Sequence, residues 1–107
     1  MGEQFRLKLF VSGRTLRVER AVEAIRRICQ DDLQGECDLE VVDVLEHPEL
    51  AERNRILATP TLIKELPPPL RRVIGDLTSR DKVLEGLDFH MAEMNGEPKG
   101  AKDPADG

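Results

Sequence analysis

Apolar and polar positions alternate near the start of the chain: Phe5, Leu7, Leu9 and Val11 fall on one side, Arg6 and Lys8 on the other. A period of two predicts a β-strand with one buried face. Ser12-Gly13 ends the run, and Thr15 suits the cap of a helix. Val18, Ala21, Val22, Ile25, Ile28, Cys29 and Leu33 then recur at helical spacing, and Gly35 stops the helix. Leu39 to Leu45, LEVVDVL, is rich in β-branched residues and predicts a second strand. A strand, a crossover helix and a strand form a right-handed unit with the two strands parallel and adjacent.

The pattern is less regular beyond. His47-Pro48-Glu49 opens a short helix, because proline fits the first turn and an acid fits its positive end. Leu50, Ala51, Asn54 and Leu57 are its inward-facing positions. The stretch LATPTLIKELPPPLRRVIGD, Leu57 to Asp76, contains four of the seven prolines. Within it TPTLIKEL and LRRVIGD are strand-like runs separated by Pro67-Pro68-Pro69. Thr78 and Asp81 have the spacing of a capping box for a last helix through Leu87. The order is β-α-β-α-β-β-α, an α/β chain in the thioredoxin-like βαβ-αββα arrangement. In that fold a proline at the place of Pro60 is usually cis. Two segments fit either state: TLIKEL mixes helix and strand formers, and KVLEGLDF matches both periods, with Gly86 inside it.

The length of 107 residues suits one domain, assigned to 1–94. The tail 95–107, NGEPKGAKDPADG, has no large apolar residue and is expected to be disordered. With three Phe and no Tyr or Trp, the core must be mainly Leu, Ile and Val. A net charge of −5 argues against a nucleic-acid partner. No apolar run approaches the roughly 18 residues of a membrane span, and Arg6 and Lys8 interrupt any signal-peptide core, so a cytoplasmic protein is expected.

Catalytic chemistry is missing where the fold would place it. A thioredoxin-type nucleophile stands at the end of the first strand, where a helix N-terminus favours the thiolate. That place reads VSGRTLRVE, with no cysteine. Cys29 and Cys37 form no CxxC, and two ordinary thiols are expected, Cys29 buried on the helix and Cys37 in a turn. His47 and His90 are far apart, and no glycine-rich phosphate motif occurs, so no enzyme activity, metal or cofactor is expected. Basic residues remain: Arg14, Arg17 and Arg20 on the first helix, and Arg53, Arg55, Lys64, Arg71 and Arg72 around the prolines. Arginine is favoured at protein interfaces, and a basic surface on an acidic chain suits an acidic protein partner.

From Phe5 to Phe89 the chain resembles the KaiB family through LKLFVSG, VVDVLEHPELAE, ILATPTLIKELPPPLRRVIGDL and DKVLEGLD. The resemblance implies a non-enzymatic regulator that binds the KaiC ATPase of a bacterial timing system and modulates its cycle. It also implies two folds: a thioredoxin-like monomer that binds KaiC, and a ground state of order βαββααβ with the second half rearranged, self-associated as a homodimer or homotetramer. On this reading Arg20, Arg55, Lys64 and Arg72 face KaiC, while Pro60, Pro67, Pro68, Pro69, Gly86 and Asp88 belong to the switching half. X-Pro exchange, with a barrier of about 18–20 kcal/mol, gives such a switch a reason to be slow. Glu36, Asp38 and Glu40 make this chain acidic in a neighbourhood the family associates with KaiA, which weighs against KaiA as a partner. The competing readings are a thioredoxin-like thiol-redox protein and a stress-related interaction protein.

Overall fold

The structure, a computed structural model, describes residues 4–33 and 36–87. Its elements are β1 (Phe5–Val11), α1 (Leu16–Asp31), β2 (Cys37–Asp43), α2 (Pro48–Arg53), β3 (Thr61–Leu66), β4 (Arg71–Ile74) and α3 (Arg80–Gly86). They follow the expected βαβ-αββα order. Asp88 and the 95–107 tail lie outside the described residues.

One four-stranded sheet has the order β2-β1-β3-β4. β1 and β2 are parallel, with Phe5 opposite Cys37 and Val11 opposite Asp43. β3 runs antiparallel to both β1 and β4, so Leu9 faces Leu62 and Leu62 faces Val73. The strand period then sorts side chains between the two faces. Leu7, Leu9, Val11 and Leu62 join Ala21, Ile25 and Ile28 of α1 and Val83, Leu84 and Leu87 near α3 in the main core. Phe10, Val42 and Ile63 point the other way and pack with Leu50 and Ile56 around α2. The sheet is a central layer, with α1 and α3 on one face and α2 on the other.

Several boundaries differ from the sequence reading. β2 starts at Cys37 rather than Leu39 because its register with β1 begins at Phe5. α1 ends at Asp31, with Asp32 at its C-cap. Ser79, not Thr78, is the N-cap of α3, because the Thr78 hydroxyl is engaged by Asp76 Oδ1. Leu57 is 94% exposed rather than inward-facing, and Ile56 takes that place in the smaller cluster. Of the two undecided segments, Thr61–Leu66 is a strand, and Lys82 to Gly86 lies in the helix Arg80–Gly86, while positions 88 and 89 lie outside the described residues.

Candidate functional site

At the C-terminal end of β1 the chain must turn sharply into α1. Gly13 adopts φ 79° there, a backbone conformation that disfavours a side chain. The turn is fastened by one carboxylate: the amides of Gly13 and Leu45 both donate to Asp43 Oδ1 at 3.0 Å. These two bonds, Gly13's first, hold the Asp43 carboxyl below its ordinary pKa. Thr15 caps α1, its Oγ1 accepting from the Val18 amide at 3.2 Å.

Facing this turn across an opening of about 440 Å³ is the Thr59-Pro60 segment, with Ser12, Thr15, Arg17 and Val18 on the opposite wall. The Thr59-Pro60 bond is cis, as are Leu66-Pro67 and Pro68-Pro69. In a thioredoxin-like sheet this is where a nucleophilic thiolate would stand. Here the walls offer hydroxyls, a guanidinium and apolar carbons, and no thiol.

The two cysteines are elsewhere, and the expectation for them is corrected. Cys29 and Cys37 are joined as a disulfide, their Cα atoms 5.5 Å apart. Cys37 is the first residue of β2, not part of a turn. Cys29 shares the inward side of α1 with Ile25, and Cys37 alternates in step with Leu39 on the sheet face that α1 covers. The pair therefore bridges the far end of α1, away from the Thr15 cap.

The four basic residues expected to face a partner do not form one patch. Arg20 is exposed on α1 and lines a groove of about 680 Å³ with Glu23, Arg27, Asp31 and Arg80. Lys64 lies beside Leu62 on the same side of the sheet and is only 4% exposed, because β3 is an interior strand. Arg55 and Arg72 are together on the α2 side. Arg72 opposes Ile63 across the strands, and its guanidinium donates to the carbonyls of Asn54 and Arg55, the latter at 3.2 Å. Arg55 itself has φ 56°, so this brace secures a strained chain reversal after α2. Gly86 closes α3 against β4.

Sequence reasoning missed a further pair. Arg80, the first residue of α3, grips Asp32 through both carboxylate oxygens, Nε to Oδ2 at 2.9 Å and Nη2 to Oδ1. Asp32 is 4% exposed, so this is a buried carboxylate bound by a half-exposed guanidinium. Charge alone gave no signal across 48 residues of separation. The exposed large apolar side chains among the described residues are also uneven: Leu57, Leu66, Leu70 and Ile74 fall within the proline segment, with Leu16 and Leu45 near the start of α1 and the end of β2 and Val41 on edge strand β2.

The KaiB domain model matches residues 8–89. Circadian clock protein KaiB3 of Synechocystis is 51% identical over 83 residues, covering 78% of this chain and 81% of that one. Circadian clock oscillator protein KaiB of Trichodesmium erythraeum is 52% identical over 89 residues, covering 83% and 86%. Among solved structures, the N-terminal domain of Synechococcus elongatus SasA superposes with a TM-score of 0.66 at 25% identity, covering 85% of this chain and 90% of that one. Mitochondrial thioredoxin 3 of Saccharomyces cerevisiae gives 0.63 at 16% identity, covering 79% and 77%, a likeness of fold alone.

Proposed function

The chain belongs to the KaiB family of circadian clock proteins, and from that membership we propose that it is a non-enzymatic binding module of a cytoplasmic timing system, docking on a KaiC-type ATPase and biasing its cycle. The observation that carries this reading is the thioredoxin-like sheet without its sulfur. The β1–α1 turn and the Thr59-Pro60 wall facing it are in place, but Ser12 to Thr15 provide no nucleophile. A retained surface without its chemistry is suited to recognition. Arg20, Arg55 and Arg72 are the basic contacts assigned to the partner, and Lys64 joins them when the second half opens. The thiol-redox alternative loses its basis, because the only sulfurs among the described residues are those of the distant Cys29–Cys37 pair.

The second half also has a role as a switch. Leu57, Leu66, Leu70 and Ile74 leave a chain segment with more exposed apolar surface than the βαβ half. Burying it requires a partner, a second copy of the chain or a rearranged second half. A rearrangement of the segment from Pro60 through Pro67, Pro68 and Pro69 to Gly86 and Asp88, with assembly into a homodimer or homotetramer, satisfies that need. Two packings of one sequence can coexist when they differ by a few kcal/mol. Preference of the ATPase for one of them draws the population over.

The test is size-exclusion chromatography of the chain with the KaiC-type protein of its own organism, with ATP, with ADP and without nucleotide, after overnight incubation. A co-eluting complex in at least one nucleotide state is expected. Its absence in all of them would refute the reading.

A further inference from the structure

We propose that Cys29 and Cys37 are a reversible thiol–disulfide modification site, acted on by a dithiol/disulfide couple, that controls whether the end of α1 is tied to the first residue of edge strand β2. Three observations converge on it. The Cα atoms are 5.5 Å apart, inside the range a disulfide spans. The two sulfurs are unequally reachable: Cys29 is 8% exposed, while Cys37 is half-buried. An opening of about 350 Å³ lies over the pair, lined by Arg26, Gln30, Asp38 and Leu39.

Access decides the direction of attack. A thiolate of the reductant reaches the Cys37 sulfur, and the Cys29 sulfur departs and takes a proton. The second thiol of the reductant then attacks the mixed disulfide, releasing Cys37 as a thiol. Two electrons and two protons enter the pair, and the reductant leaves as its own disulfide. The reverse reaction uses the oxidised member of the same couple. The pair is not placed to be a catalyst. It lies at the end of α1 where carbonyl oxygens gather, with Arg26 and Asp38 offsetting each other across the opening, and lacks the helix N-terminus that makes catalytic thiols fast.

The consequence falls on β2. This strand is paired on one side alone, and its first rungs are Phe5 opposite Cys37 and the Phe5 amide donating to the Glu36 carbonyl at 2.8 Å. With the bond closed, α1 and the start of β2 cannot separate. With it open, the backbone bonds to β1 and the packing of Cys37 and Leu39 under α1 hold that end without a covalent tie, and the outward Asp38 and Glu40 travel with it.

The full chain is equilibrated in dithiothreitol buffers of graded reduced-to-oxidised ratio, quenched in acid, alkylated and weighed intact. Zero adducts are expected at the oxidised end and two at the reduced end, in a single two-electron step. In parallel, hydrogen exchange of the first amides of β2 is expected to be about tenfold faster in the reduced protein. A Cys29→Ser, Cys37→Ser double variant should exchange at the reduced rate in every buffer. Two adducts at every ratio, no adducts in the fully reducing buffer, or exchange that ignores the redox state would each overturn the proposal.

Discussion

Gly86 touches Val73 so closely that a Cβ at position 86 would stand 2.6 Å from Val73 Cγ2 and 3.3 Å from Cγ1. The last turn of α3 therefore rests on β4 through a missing side chain. Helix propensity favours alanine over glycine by up to about 1 kcal/mol, and the valine opposes it. Gly86→Ala is expected to stabilise the thioredoxin-like form by roughly 0.5–1 kcal/mol in a Val73→Ala background, and by clearly less in the parent. Urea melts of the four proteins of this cycle supply the numbers. Simple additivity would mean that the contact does not limit the approach of α3.

The Asp32–Arg80 pair ties the end of α1 to the start of α3. Removing the guanidinium leaves the buried Asp32 carboxylate without its bidentate partner, so Arg80→Ala is expected to lower stability measurably. Arg80→Lys should recover little, since an ammonium cannot match both oxygens at once. Asp32→Asn, which deletes the charge, should cost less than Arg80→Ala. Denaturant midpoints with unchanged slopes would establish the order, and equal stability of Arg80→Ala and the parent would exclude the clamp.

Asp43 and Asp76 both have pKa values below the ordinary carboxylate value of 3.8. The Gly13 and then the Leu45 amide lower Asp43; the Thr78 hydroxyl and then its amide lower Asp76. A carboxyl depressed by folding adds stability above its unfolded pKa and loses it as pH falls through the folded value. Stability should therefore be level near neutral pH and fall below about pH 4. Asp43→Asn, which still accepts hydrogen bonds but does not titrate, should make that fall shallower. An unchanged acid limb in urea melts at stepped pH would show that the turn carboxylate is not part of it.

Arg20 and Arg72 separate binding from folding. Arg20 is exposed on α1, so Arg20→Glu should leave the unfolding free energy within about 0.5 kcal/mol of the parent while weakening capture of the KaiC-type partner. Arg72 braces the carbonyls of Asn54 and Arg55, so Arg72→Ala should lower both stability and capture. Pull-down beside thermal melts distinguishes them. Full capture by Arg20→Glu would remove α1 from the interface.

The first half of the fold was legible because α1 has one wet face and because Arg6 and Lys8 still interrupt the apolar positions of β1, although Phe10 is buried on the opposite side of the sheet, so the periods of Phe5–Val11 and of Val18–Ile28 show through. β3 hid its state because both of its faces are covered. Thr61, Leu62, Ile63 and Lys64 are all buried, so no alternation marks the strand. The same burial separates Lys64 from Arg55 and Arg72, which charge alone had grouped with it. The cysteine pairing depended on α1 lying back across β2. The available signal was that Cys29 continues the Ile25 stripe and Cys37 the Leu39 alternation, which puts both sulfurs in one layer. The Asp32–Arg80 clamp had no such trace, since neither residue belongs to an apolar period.

β3 is the seam along which the two halves of the chain are stitched: β1 on one side comes from the first half, β4 on the other from the second. Any arrangement that withdraws it leaves the amides and carbonyls between Arg6 and Phe10 as an open hem. Water can wet that hem, but another strand, from elsewhere in this chain or from a second copy, closes it better. Under the proposed switch, changing the fold and acquiring a neighbour would be one topological event, and protein concentration would enter its equilibrium.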